Sequence, residues 1–179
     1  MLHDPLPCAD RVGRLRAEFP ETGVLLILNE KNIRYLTGFI GGEGALMAGP
    51  DWLMLLVDGR YATQARAEAR GVEIYEFRNR VEGIAETVHR RGARSVGFES
   101  PFLSVEEYLR LRESLPGVEL SPLPKDFEFL RAVKDGGEID RIREAARKGF
   151  HSIRSLRPGS IRPFPMQRRA GARSRMGIA

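Results

Sequence analysis

Over the first 156 positions, apolar residues recur in two periods that take turns along the chain. Val12, Leu15 and Phe19 are three and four residues apart, which predicts an amphipathic helix over Ala9–Phe19. Gly23 then opens Val24–Asn29, an apolar run that predicts a buried strand. Asn32–Gly38 fits one or two helical turns ending at glycine. Ala45–Ala48 and Trp52–Val57 predict two strands, joined by Gly49-Pro50-Asp51 as a hairpin.

Tyr61–Arg70 is alanine-rich and helix-prone, with Gly71 as its stop, and Val72–Phe77 alternates as a half-buried strand. Val81, Ile84, Ala85 and Val88 share one face of a helix over Val81–Arg91, capped by Gly92. Val96–Phe98 reads as a short strand. Ser104 to Glu107 matches a capping box for a helix running to Leu115. Val118–Leu120 predicts a last strand, and Phe127–Val133 and Glu138–Leu156 predict helices. Such alternation around a hairpin predicts a mixed α/β sheet covered by helices, and no internal repeat is visible.

Composition narrows the function classes. With 179 residues, 42% apolar and 30% charged, the chain has material for one ordinary domain with a real core. No apolar run approaches the ~20 residues of a membrane span. The start, with His3 and Asp4 beside prolines, lacks the signal-peptide pattern, and a cytoplasmic location is the expectation. The net charge of +5 suggests a nucleic-acid binder until it is divided along the chain. Arg157–Ala179 holds six arginines and no acid, so the body is close to neutral. That tail has no regular period and few large apolar side chains. The expectation is a frameshifted or truncated end, ahead of a basic arm that binds RNA, DNA or anionic lipid.

Candidate chemistry is sparse. His3, His89 and His151 are far apart, and the one cysteine, Cys8, builds neither a disulfide nor a cysteine metal site. His89 suits the last turn of its helix. No G-x-S-x-G is present, and Ser95, Ser100 and Ser104 read as loop or capping residues. Gly38–Gly44 lacks a phosphate-loop pattern and carries Glu43 where a phosphate would sit. Asp58 reads as a cap for the helix after Arg60 and Tyr61, whose own roles stay open. Acid pairs Glu106/Glu107 and Glu138/Asp140 fall at helix starts, where the dipole favours them.

The order of motifs adds a resemblance. Asn32-Ile-Arg-Tyr-Leu-Thr-Gly-Phe39, a glycine-rich loop, Leu55-Leu-Val-Asp-Gly-Arg-Tyr61, Val96-Gly-Phe-Glu99, and Phe129–Asp135 before Glu138–Ala146 follow one another. Together they resemble the N-terminal domain of the creatinase/Xaa-Pro aminopeptidase family and its linker helix. The resemblance implies a mixed six-stranded, ribonuclease-H-like sheet with helices on both faces. It implies a domain over 1–134, a linker helix over 135–156 toward a missing catalytic domain, and the basic tail over 157–179. In that family two divalent metal ions, commonly manganese, cobalt or zinc, are held by the following pita-bread domain. None of their ligands carries over, so the expectation is no catalysis, no catalytic residue, and no cofactor or metal in this chain.

What remains by analogy is oligomerisation and a wall for a substrate site. Phe39, Ile40, Gly41, Gly42 and Glu43, with Arg60 and Tyr61, are the substrate-proximal or interface candidates; ordinary strand-entry packing competes equally for the loop. Glu43 stands where creatinase-like members carry a basic residue, which argues against creatine. The expected partner is a second copy or a metallopeptidase catalytic domain, with no membrane, and nucleic acid only through the tail. Apolar surface near the linker helix predicts dimerisation or limited solubility. Two competing readings are an adaptor whose Arg-rich tail binds nucleic acid or an anionic surface, and a small-molecule module built on Phe39–Gly44 with Arg60 and Tyr61.

Overall fold

The computed structural model describes residues 8–123 and 127–155, in two units divided after Val133. Cys8 and the tail over 157–179, on which some expectations rest, lie outside the residues whose side chains are described.

The first unit runs α1 (Cys8–Glu18), β1 (Val24–Ile27), α2 (Glu30–Thr37), β2 (Gly44–Ala48), β3 (Leu53–Asp58), α3 (Ala62–Glu68), β4 (Glu73–Phe77), α4 (Arg80–Arg91) and β5 (Ser95–Phe98). A 3₁₀ turn at Ser100–Phe102, α5 (Val105–Ser114), β6 (Glu119–Pro122) and α6 (Glu128–Ala132) complete it. The strands form one sheet in the order β4-β3-β2-β1-β5-β6. β2 runs antiparallel to β1 and β3, and the other neighbouring pairs are parallel. The mixed six-stranded sheet and the expected hairpin are therefore both present, the hairpin closed by Gly49 N–H donating to Trp52 O at 2.9 Å.

β1 to β3 are apolar on both faces because both faces are covered. Leu25, Ile27, Leu46 and Leu55 point to one side, where they meet Leu15, Leu36, Ala65 and Phe127 from the helical layer of α1, α2 and α3 and the start of α6. Val24, Leu26, Met47 and Leu56 point to the other side, toward Ile84 and Val88 of α4 and Leu111 of α5. The strand period of two thus divides one apolar run between two cores.

Helix ends follow local chemistry. Asn29 accepts from Lys31 N–H at the start of α2, and Asn79 accepts from Val81 and Glu82 N–H at the start of α4. The capping box of Ser104 and Glu107 is formed as expected, and Glu107 also takes Arg80 from the first turn of α4, so one carboxylate joins two helices. Burial raises the Glu107 pKa, but Arg80 and Ser104 outweigh it and hold the carboxyl below its ordinary value. Ser95 differs from its reading as a loop or cap: it lies in β5, and its Oγ accepts from Gly23 N–H at 3.1 Å.

One deeply buried polar contact was not among the sequence candidates. Glu99, 1% exposed, follows β5 directly and accepts hydrogen bonds from Leu28 N–H (2.7 Å), Asn29 N–H (2.8 Å) and Asn32 Nδ2 (2.6 Å). The Asn32 side-chain oxygen accepts in turn from Arg131 Nε of α6 at 2.9 Å. The strand-to-helix turn after β1 is thereby tied to β5 and α6.

The second unit contains α7 (Gly136–Ser155). Asp135 Oδ1 accepts from Glu138 N–H at 2.8 Å, and Glu138 Oε2 accepts from Asp135 N–H at 3.0 Å, a reciprocal pair that fixes the helix start. Ile139, Ile142 and Phe150 are exposed along it.

Replacing Glu99 by Gln removes the charge and puts an amide NH₂ among three donors. The expected loss is about 2–4 kcal/mol of unfolding free energy, read from urea denaturation. A loss below about 0.5 kcal/mol would mean the turn after β1 holds without this carboxylate.

Candidate functional site

The candidate residues from two separate stretches meet at one end of the β2–β3 hairpin. The loop after α2 feeds β2 there, and the turn after β3 leads into α3. Gly38 ends α2 at φ 82°, and the next residue, Phe39, turns inward and is 1% exposed. Its ring meets Tyr61 edge-on at 6.3 Å. Ile40 does the opposite: its side chain is 58% exposed while its N–H donates to Glu68 Oε2 of α3 at 2.9 Å. Gln64 Nε2 donates to the other Glu68 oxygen at 2.9 Å, so that carboxylate is itself oriented.

Gly41 is required by close approach. A Cβ there would lie 2.1 Å from the tip of the Phe39 ring, so any side chain would drive Phe39 from the core. Gly42 passes close to the Tyr61 hydroxyl. The loop is a lip with a buried aromatic floor, an exposed apolar edge and a charged corner.

That corner is Asp58, Arg60 and Glu43. Arg60 donates through Nη2 to Asp58 Oδ2 at 2.6 Å and to Glu43 Oε2 at 3.2 Å, and its Nε donates to Asp58 at 3.1 Å. Its guanidinium also stands 5.6 Å from the Tyr61 ring centroid. Arg60 and Glu43 side chains are each 72% exposed, so the outer pair is weak and screened by salt. The bond from Arg60 is the largest influence holding the Asp58 carboxyl below its ordinary value, and the Asp58 bond likewise raises Arg60. The reading of Asp58 as a cap of the following helix is corrected here. α3 begins after Tyr61 without a side-chain cap, and Asp58 Oδ1 accepts from Arg60 N–H two residues on. A two-residue reach is the natural span of an aspartate in a turn, and α3 starts too far along for it.

His3 and His151 lie outside the residues whose side chains are described. His89 occupies the last turn of α4, where its Nε2 lies 3.0 Å from Ser114 O. Among the described residues, no three His, Cys, Asp or Glu side chains gather as a group able to hold a metal ion. These residues therefore do not fit the two-metal centre that the resemblance places in a following domain. No helix among them is long and apolar enough to cross a membrane.

In Arg60→Ala, the Asp58 carboxyl should titrate at a higher pH, back toward the ordinary aspartate range, in an NMR titration. Because the folded value is depressed, the stability from this pair is present above the unfolded pKa and fades as pH falls through the folded one. An unchanged Asp58 titration would contradict the pairing.

The model of the creatinase/prolidase N-terminal domain matches residues 11–133. The uncharacterized peptidase YqhT of Bacillus subtilis (strain 168) is 31% identical over 149 residues, covering 82% of this chain and 42% of that protein. The Xaa-Pro dipeptidase from Bacillus anthracis superposes with a TM-score of 0.70 at 28% identity, over 85% of this chain and 44% of its own. The N-terminal domain of the cytoplasmic peptidase PepQ from Mycobacterium tuberculosis H37Rv superposes at 0.59 with 30% identity, over 69% of this chain and 98% of its own. The chain thus spans less than half the length of the curated relative, and its solved likenesses include an isolated N-terminal domain. By the match over 11–133, the chain belongs to the creatinase/prolidase family of Xaa-Pro peptidases, and those residues form its N-terminal domain.

Proposed function

We propose that this domain breaks no peptide bond itself and serves an Xaa-Pro peptidase of the cytoplasm as an assembly domain and as one wall of the substrate site. Peptide hydrolysis and its two divalent metal ions belong, in this reading, to the catalytic domain of the family. The partner of the domain is a second copy of the chain.

The observation that carries the reading is the lip. Ile40, 58% exposed, stands on a backbone clamped by Glu68 above a buried Phe39, so an apolar contact is held out on a fixed support. Rigid presentation lowers the ordering cost of a contact with a partner or substrate. Beside it, Asp58, Arg60 and Glu43 carry two negative charges against one positive. The corner therefore favours an ammonium group over a carboxylate, as suits the free amino end of a peptide and not creatine. The competing adaptor reading rests on the tail alone, which gives it no support here.

Purified chain with manganese and an Xaa-Pro dipeptide should release no proline at an enzyme-like rate. Sedimentation velocity should show a dimer, and Ile40→Glu should shift it toward monomer while its circular dichroism spectrum stays that of the folded chain. Proline release by the pure chain, abolished by chelation, would overturn the non-catalytic role. A wild-type monomer throughout the concentration series would overturn the assembly role.

A further inference from the structure

The opposite end of the same hairpin carries a cavity that the lip does not share. Val12 and Arg16, one turn apart on α1, line it with Pro50, Trp52 and Leu53, and it is a hollow open to solvent of about 320 Å³. Sites for small molecules begin near this size. Its walls are largely apolar, and Arg16 brings the single positive charge among its lining residues.

Arg16 is unlike the arginines that pair with acids. Arg60, Arg80, Arg90 and Arg91 each meet a carboxylate. The Arg16 guanidinium instead donates to two neutral carbonyl oxygens, Thr22 O at 3.4 Å and Ala48 O, and its buried Nε has no acceptor. Burial pulls its pKa below the ordinary value, with no neighbouring charge opposing that shift. A half-buried cation compensated only by carbonyls is costly, and a carboxylate is the planar partner that matches its fork.

The aromatic wall is already in place. A Cβ at Gly49 would lie 1.9 Å from the indole of Trp52, so the ring rests directly on that backbone. Arg91, paired with Glu73, stands 4.8 Å from the same ring. Asp51 is exposed at the mouth of the cavity.

We propose that this cavity binds a small molecule with an apolar body and a free carboxylate, the carboxylate on Arg16 and the body against Val12, Trp52 and Leu53. An apolar amino acid and the C-terminal end of a short peptide share this chemistry. Asp51 tells them apart, since only the free amino acid carries its ammonium close to its carboxylate.

Trp52 is the one tryptophan of the chain, so its fluorescence reports on the cavity. Leucine, N-acetyl-leucine and leucinamide are titrated into the full chain. A saturable change with the two carboxylates and none with leucinamide is expected. Tighter binding of leucine identifies the amino acid as the ligand, and tighter binding of N-acetyl-leucine identifies the peptide end. Arg16→Lys keeps the charge and loses the planar fork, and should weaken binding about tenfold. Val12→Phe fills the cavity while keeping the Arg16 charge, and should abolish binding, with folding of both variants checked by their melting curves. No saturable response to either carboxylate, an equal response to leucinamide, or binding that survives Val12→Phe in a folded protein overturns the proposal.

Discussion

A carboxylate buried to 1% exposure, that of Glu99, holds the joint on which the candidate site is hung. At the end of β1 the chain leaves the sheet and turns into α2, and the N–H groups of Leu28 and Asn29 lose any strand partner. Buried without an acceptor, each would cost a large part of a hydrogen bond to charged surroundings. Glu99, delivered by the neighbouring parallel strand β5, accepts both. Its negative charge also lies at the start of α2, where the helix dipole is favourable. Asn32 passes the connection to Arg131, so strand, helix and the last helix of the unit share one polar anchor.

From that joint the lip follows mechanically. α2 has a fixed start and a glycine end, and the chain that leaves it is held by Phe39 below and Glu68 from the side. The position of Ile40 is therefore set by the packing of its neighbour Phe39 and by a hydrogen bond from its own backbone to α3. The β2–β3 hairpin then separates two chemistries along its length. One end gathers a net negative, exposed corner around Arg60, and the other keeps Arg16 half-buried with only carbonyl partners. What distinguishes the two is that Arg60 has carboxylate partners and Arg16 has only carbonyls.

Much of the architecture was legible because its signals are local. The apolar periods, the Gly-Pro-Asp turn, the Ser104–Glu107 box and the glycines that end α2 and α4 each act within a few residues, and the structure has them in place, whereas α3 stops at Glu68, short of Gly71. The candidate lip was legible as a set of residues, since its motifs flank the hairpin. Asp58 was misread because an aspartate before a helix serves either as a cap or as the first residue of a turn. The starting point of α3, after Tyr61, decides between these.

The sequence by itself determined the order of strands and helices, the burial of the first strand, and the family to which the domain belongs. Tertiary structure alone decided that Glu99 meets Asn32 across 67 residues and that Asn32 meets Arg131 across 99. It also decided that Arg16, one arginine among many, is left without an acid beside a tryptophan-walled cavity. Periodicity records which face of an element is buried. It does not record which polar group from another element arrives there, because that is set by strand order and register across the sheet.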